Sequence, residues 1–206
     1  VPGVIYSSSN TNVLIINPTG AITALHSGLA NVTANYYGLA DTQTIQVTAA
    51  PQTLVHRYSF TADASDSEGG ADGVLSGGAV ISGNAVLLNG SSAYVNLPNN
   101  LFTNFNSLTF EAWFTDSGSS AWARLWDFGN SKNGEDNQGG GVSYMFLSDP
   151  SGGGGLRSAY NLGSGEQLVD YATRPATGVE HHVVWTQDGN ADVAKIYLDG
   201  ALVVEN

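Results

Sequence analysis

The sequence has no cysteine, six lysine and arginine residues in all, and no apolar run longer than a handful of residues, of which Val13-Leu14-Ile15-Ile16 is typical. Without thiols there are no disulfides, no thiolate nucleophile and no Cys-based zinc or iron–sulfur site, so stability must come from packing, backbone pairing or hard cations. Six bases against eighteen acids give a formal charge of -12. Phosphate binding takes its affinity from Lys and Arg that displace counterions, and this balance excludes nucleic acid as a partner. Apolar runs this short fall far below the roughly 20 residues of a membrane-spanning helix. Catalytic signatures are missing as well. No window matches the strained G-x-S-x-G turn of a serine hydrolase, and the glycine run Gly152 to Gly155 lacks the Lys and Ser or Thr of a phosphate loop.

What is present is a globular composition, 42% hydrophobic with 26 glycines, able to bury a core in one large domain or two small ones. Low charge, abundant Gly and no oxidisable cysteine suit a secreted bacterial protein. The first fifty residues carry one charge, Asp41, and all other charged residues follow. That break coincides with Pro51, so the chain reads as 1–49, a linker at 50–52, and 53–206. In the first part, Ala30 to Tyr36 alternates with period two, placing Val32, Ala34 and Tyr36 on one face. In the second, Leu108, Phe110, Ala112 and Phe114 alternate with Thr109, Glu111 and Trp113. Further strand-like stretches are Leu54 to Phe60, Ala85 to Leu88, Ala93 to Leu97, Arg124 to Phe128, Val142 to Leu147, Val179 to Thr186, Val193 to Leu198 and Ala201 to Val204. Gly, Asn and Asp clusters separate them, and Gly152 to Gly155 reads as a floppy hairpin. Many short strands and no helical period predict an all-β antiparallel sandwich.

Two resemblances follow from these residues. Tyr6-Ser-Ser-Ser-Asn10, Val13 to Ile16, Pro18-Thr-Gly20-Ala-Ile-Thr-Ala24 and Ser27-Gly28-Leu-Ala30-Asn-Val-Thr-Ala34 resemble the second half of a bacterial immunoglobulin-like group 2 domain. The resemblance implies a partial β-sandwich spacer of a surface protein. From residue 53, "HRYSFTADASDSEGGADGVLSGGA", "LLNGSSAYVNLP", "LTFEAWF" and "HHVVWTQDGNADVAKIYLDGALV" are similar to laminin G-like, concanavalin A-like jelly rolls of secreted bacterial proteins. That family usually closes with two or three more strands, so this jelly roll is expected to be incomplete at its carboxyl end, with the edge beside Ala201 to Val204 open to self-association.

Two loops carry candidate sites. Asp63, Asp66 and Asp72 lie with Glu68 in a Gly-rich stretch that could supply the six to eight hard oxygens of calcium, or serve as plain turn residues. Glu135, Asp136 and Asn137 lie in a polar insertion between the strands that carry Trp126 and Tyr144, with Trp122 just before. Rings that stack on sugar C–H faces, beside amides and carboxylates that read hydroxyls, are the ingredients of a glycan site; a flexible connecting loop is the alternative. The adjacent His181 and His182 must point to opposite faces of a strand, so they cannot share a metal, and a buried, hydrogen-bonded His182 is expected. Laminarinase-like enzymes of this fold carry E-x-D-x-x-E on one strand, and no window matches. The expected function is therefore non-catalytic: carbohydrate binding or adhesion to another cell-surface protein, within a large secreted or surface-attached bacterial protein. A structural subunit of an extracellular fibre is the second reading and a glycoside hydrolase the third.

Overall fold

Period-two alternation becomes strand throughout. The structure, a computed structural model, describes residues 3–48, 53–102, 105–133, 141–163, 165–189 and 191–206, and no helix occurs among them. The chain divides into two units, Val1–Leu54 and Val55–Asn206.

In the first unit, β1 (Val4–Ser8), β4 (Gly28–Tyr36) and β5 (Leu39–Val47) form an antiparallel sheet in the order β1-β4-β5, while β2 (Leu14–Ile16) and β3 (Ile22–Ala24) form a hairpin. The hairpin turn is made by Asn17, whose Oδ1 accepts the N–H groups of Thr19 and Ala21 at 3.0 and 2.9 Å. Val13, Leu14 and Ala30 are buried, with Val32, Ile45 and Val47 packed against them. This core is small. Farther along the same face of β4, Tyr36 is exposed, as are Tyr37 in the turn beyond it and Leu39 at the start of β5.

The second unit opens with irregular chain and two short ladders, β6 (Val74–Ser76) with β9 (Tyr94–Asn96) and β7 (Val80–Ser82) with β8 (Ala85–Leu87). The stretch Leu54 to Phe60, expected as a strand, is irregular apart from a bridge between Tyr58 and Asp66. Its backbone is held by the acidic loop instead of by a neighbouring strand. Two four-stranded antiparallel sheets follow. One has the order β10 (Ser107–Thr115), β15 (Glu180–Asp188), β16 (Val193–Leu198), β17 (Ala201–Glu205). The other runs β11 (Arg124–Gly129), β12 (Ser143–Ser148), β13 (Leu156–Leu162), β14 (Glu166–Tyr171). Strands β13 and β14 were not anticipated. The run Gly152 to Gly155 is an ordered turn between β12 and β13, closed by Ser151 N–H to Gly155 O at 2.7 Å and Gly154 N–H to Ser151 O at 2.9 Å.

The core lies between these two sheets. Leu147, Leu156 and Val169 from one meet Val183, Trp185, Ala194 and Ile196 from the other, all within a few per cent of full burial. Leu108, Phe110, Ala112 and Phe114 of β10 pack against this cluster, as their alternation predicts. Phe110 is an aromatic hub, with ring centroids 5.0 Å from Phe102, 5.4 Å from Trp126 and Phe128, and 5.8 Å from Trp185. Burying apolar rings of this size is worth a few kcal/mol each, so this layer dominates the stability of the unit.

Candidate functional site

Because strand side chains alternate, the sheet β11–β14 turns Trp126, Met145, Leu147, Leu156 and Val169 toward the core and presents the intervening residues on its outer face. The register arranges those residues in three rows across the strands. Arg124, Ser148, Arg157 and Asp170 form the first; Asp127, Phe146, Ala159 and Leu168 the second; Gly129, Tyr144, Asn161 and Glu166 the third. A groove of about 610 Å³ runs over this face, lined by Trp122, Arg124, Asp127, Tyr144, Phe146 and Glu166 together with 129–131 and Gly141. Polar and aromatic residues alternate along it.

The charged side chains of this face already have partners. Arg157 holds Asp170 through two parallel bonds of 2.6 Å, and Arg124 reaches Asp127 at 3.1 Å while also donating to Ser148 Oγ. The Arg124 guanidinium lies 3.8 Å above the Phe146 ring, so Phe146 is buried although it sits on the outer face. Tyr144 donates its hydroxyl proton to Glu166, and that bond raises the Tyr144 pKa. A network of this kind fixes donors and acceptors in place before any ligand arrives.

Trp122 forms the end wall. Its ring is 45% exposed, with the Arg124 and Arg157 guanidinium carbons 5.7 and 5.5 Å from its centroid. Its backbone has φ +72°, a left-handed conformation that a bulky residue adopts at a cost. The conformation is held by Trp122 N–H to Pro150 O at 2.7 Å and Asp149 N–H to Ala123 O at 3.0 Å. The indole also lies against Gly152, where a β-carbon would come within 2.6 Å of Trp122 Cζ2. Only a glycine fits there.

Of the residues expected at a glycan site, Trp122 and Tyr144 come together in the groove. Trp126 does not: it is on the opposite face of β11, stacked on Phe110 within the core. The bulge between Arg124 and Trp126 resets the alternation, which the sequence alone did not reveal. Glu135, Asp136 and Asn137 lie outside the described residues. Arg124, Arg157, Asp170 and Glu166 were not anticipated; three of the four stand on the two unanticipated strands.

The acidic loop is a turn. Asp66 is 7% exposed, and its carboxylate accepts the N–H groups of Arg57 (2.8 Å), Glu68 (3.1 Å) and Ala71 (3.0 Å) and lies 2.7 Å from His56 Nδ1. Burial opposes its ionisation, yet these donors hold its pKa well below the usual carboxylate range. Asp72 accepts the Asp66 N–H at 2.8 Å and Asp63 accepts that of Ser65 at 2.9 Å. Both Asp66 oxygens are thus engaged by donors of the loop itself. Among the described residues, no three His, Cys, Asp or Glu side chains form a group that could hold a metal ion.

The histidine pair does split across the sheet, but with the roles reversed. His181 is the buried one, between Asp199 (2.8 Å) and the Ala176 carbonyl (3.2 Å). His182 faces outward, 2.7 Å from Glu111 and stacked on Trp113 at 4.5 Å, with Trp113 itself 63% exposed.

A family model described as the concanavalin A-like lectin/glucanases superfamily matches residues 89–206, which include both large sheets and the groove. The match begins after the Asp-rich opening and after the residues that resemble an immunoglobulin-like domain. Neither the comparison with curated proteins nor that with solved structures gives a match.

Proposed function

This chain belongs to the concanavalin A-like lectin/glucanases superfamily, and on that premise we propose that it is a non-catalytic carbohydrate-binding or adhesion segment of a large secreted or cell-surface bacterial protein, with the saccharide lying on the outer face of sheet β11–β14. The observation that carries this reading is the pairing of a partly exposed Trp122 end wall with Tyr144, Asp127 and Glu166 held along the same groove as hydroxyl-reading groups. A pyranose ring has an apolar C–H face and a polar equatorial rim, and such a groove meets both at once. Both arginines of this face are engaged by in-sheet carboxylates, and this favours a neutral saccharide over a uronate or a sulfated sugar. A secreted or surface location agrees with the low-charge, cysteine-free composition.

Affinity electrophoresis through gels that contain neutral polysaccharides, after a glycan array has chosen them, tests the reading. Retardation of the parent is expected to disappear in Trp122→Ala and to weaken in Tyr144→Phe, both with unchanged circular dichroism. Equal retardation of parent and Trp122→Ala would move the site off this groove. A parent that binds no glycan on the array would remove the carbohydrate reading altogether.

A further inference from the structure

Behind the groove lies a carboxyl group without a partner. Asp149, at the end of β12, is 2% exposed, and neither of its oxygens meets a hydrogen-bond donor; the Nε of Arg174, also buried, lacks an acceptor. Buried unpaired carboxylates are costly, and a fold keeps one where something offsets that cost. The groups that face Asp149 are Asp116, which follows β10, Arg174, which follows β14, and His181 of β15, itself paired with Asp199. Arg174 donates to Asp116 at 2.5 Å and to the Ser119 carbonyl at 3.0 Å. Asp116 in turn accepts the N–H groups of Gly118 and Ser119 at 3.0 and 2.7 Å.

These contacts share one object. The segment from Asp116 to Ala123 is tied at its start by Arg174 and at its end by Asp149 and Pro150, and it carries the strained Trp122. We propose that Asp149 is a positioning residue: with its proton on, it lets the 116–123 segment close and holds Trp122 at the groove, and with its proton off, it loosens that segment. The glycan consequence rests on the groove reading above; the positioning of Trp122 does not.

The sign follows from the surroundings. Burial and the charge of Asp116 push the Asp149 carboxyl up to about 6, against the pull of Arg174 and His181. In an opened segment Asp149 would be hydrated and return toward its ordinary value near 4. The closed arrangement therefore binds the proton more tightly, and acid favours closure. Between pH 5 and pH 7.5 the closed-to-open ratio falls by about tenfold for two pKa values so separated.

Labelling with 5-fluorotryptophan gives one ¹⁹F resonance for each of the four tryptophans, and Trp122→Phe assigns that of Trp122. In the ligand-free chain this resonance should titrate with a midpoint between about pH 5 and pH 6. Asp149→Asn should hold it at its acid position throughout, His181→Gln should leave the titration in place, and Asp116→Asn should lower the midpoint by removing the like charge. A Trp122 resonance indifferent to pH, a titration that survives Asp149→Asn, or one abolished by His181→Gln while Asp149 is intact would overturn the proposal. If Asp149→Asn fails to fold, an unmoved midpoint in Asp116→Asn overturns it equally. On a polysaccharide that retards the parent at pH 5, apparent affinity should drop severalfold at pH 7.5, where the open form dominates. Titration of Trp122 with no retardation at any pH would support the positioning role and sink the groove reading alone.

Discussion

Two tryptophans four residues apart have opposite fates, and the consequences can be measured. Trp126 packs on Phe110 in the core, so Trp126→Ala should cost about 3–5 kcal/mol in chemical denaturation, whereas Trp122→Ala should stay within about 1 kcal/mol of the parent. Comparable losses at both positions would mean that Trp122 is a packing residue. Asp66 makes a second contrast. Its replacement by Ala strands three N–H groups and His56, and a loss of about 3 kcal/mol or more is expected, with no shift of melting temperature on adding calcium or EDTA to the parent. A calcium-dependent melting temperature would show that the loop rearranges around a cation. In the sequence, Asp63, Asp66 and Asp72 read alike, as calcium ligands or plain turn residues, and the number of donors aimed at Asp66 was not legible. Those donors come from Arg57 and Ala71, nine residues before and five after, and only the folded loop brings them to one carboxylate.

Among elements, the tight junctions are specific. Gly77 closes β6 with φ +62°, and a β-carbon there would lie 1.7 Å from the Ser92 carbonyl oxygen, just before β9. Gly77→Ala should therefore destabilise the chain by more than about 1 kcal/mol and unpair β6 from β9, seen as faster amide exchange at Val74 to Ser76. Unchanged exchange there would mean that the turn has another conformation available. The same turn uses Asn89, whose Oδ1 accepts from Ser91, Ser92 and Ala93, so the "NGSSAYV" stretch that marked a family resemblance is a hydrogen-bonded corner. Strands β10, β15 and β16 were legible because their β-branched and aromatic residues alternate. Strands β13 and β14, LRSAYNL and EQLVDY, were not, since Ser, Asn, Gln and Glu lower their β propensity. They are strands because β12 offers them a register and because Leu156 and Val169 are buried against the facing sheet.

For the molecule as a whole, two groups of ionisable residues pull its stability in opposite directions. Burial resists ionisation of Asp66 and Asp116, but their donors prevail and bring Asp116 down to about 2. The stabilisation these two give is complete above the unfolded pKa near 4 and is lost as the pH falls below it. Asp149, raised to about 6, and His181, raised by its bond to Asp199, have the opposite sign: what they contribute is present in acid and is lost as the pH rises through their folded values. Stability should thus peak near pH 4 and decline from there to pH 6, and urea midpoints measured from pH 3 to pH 8 check it; a plateau from pH 4 to pH 6 would mean that Asp149 is hydrated. The two units also differ in core. Amides of Val183 to Trp185 and of Ile196 should exchange slowest, and those of β4 faster, because Val13, Leu14 and Ala30 form a much smaller buried cluster than the seven residues between the large sheets.

By itself the sequence determined the all-β class, the composition break near residue 50 and the inward face of β10. Each of these depends on local alternation or on summed charge, which a linear string displays directly. The tertiary structure decided the rest: that Trp126 belongs to the core and Trp122 to the groove, that Arg124, Arg157, Glu166 and Asp170 share the groove face, and that Asp149 is enclosed by residues 25 to 33 positions away. A bulge of one residue moves a side chain across a sheet, and strand register joins residues that nothing in their spacing connects.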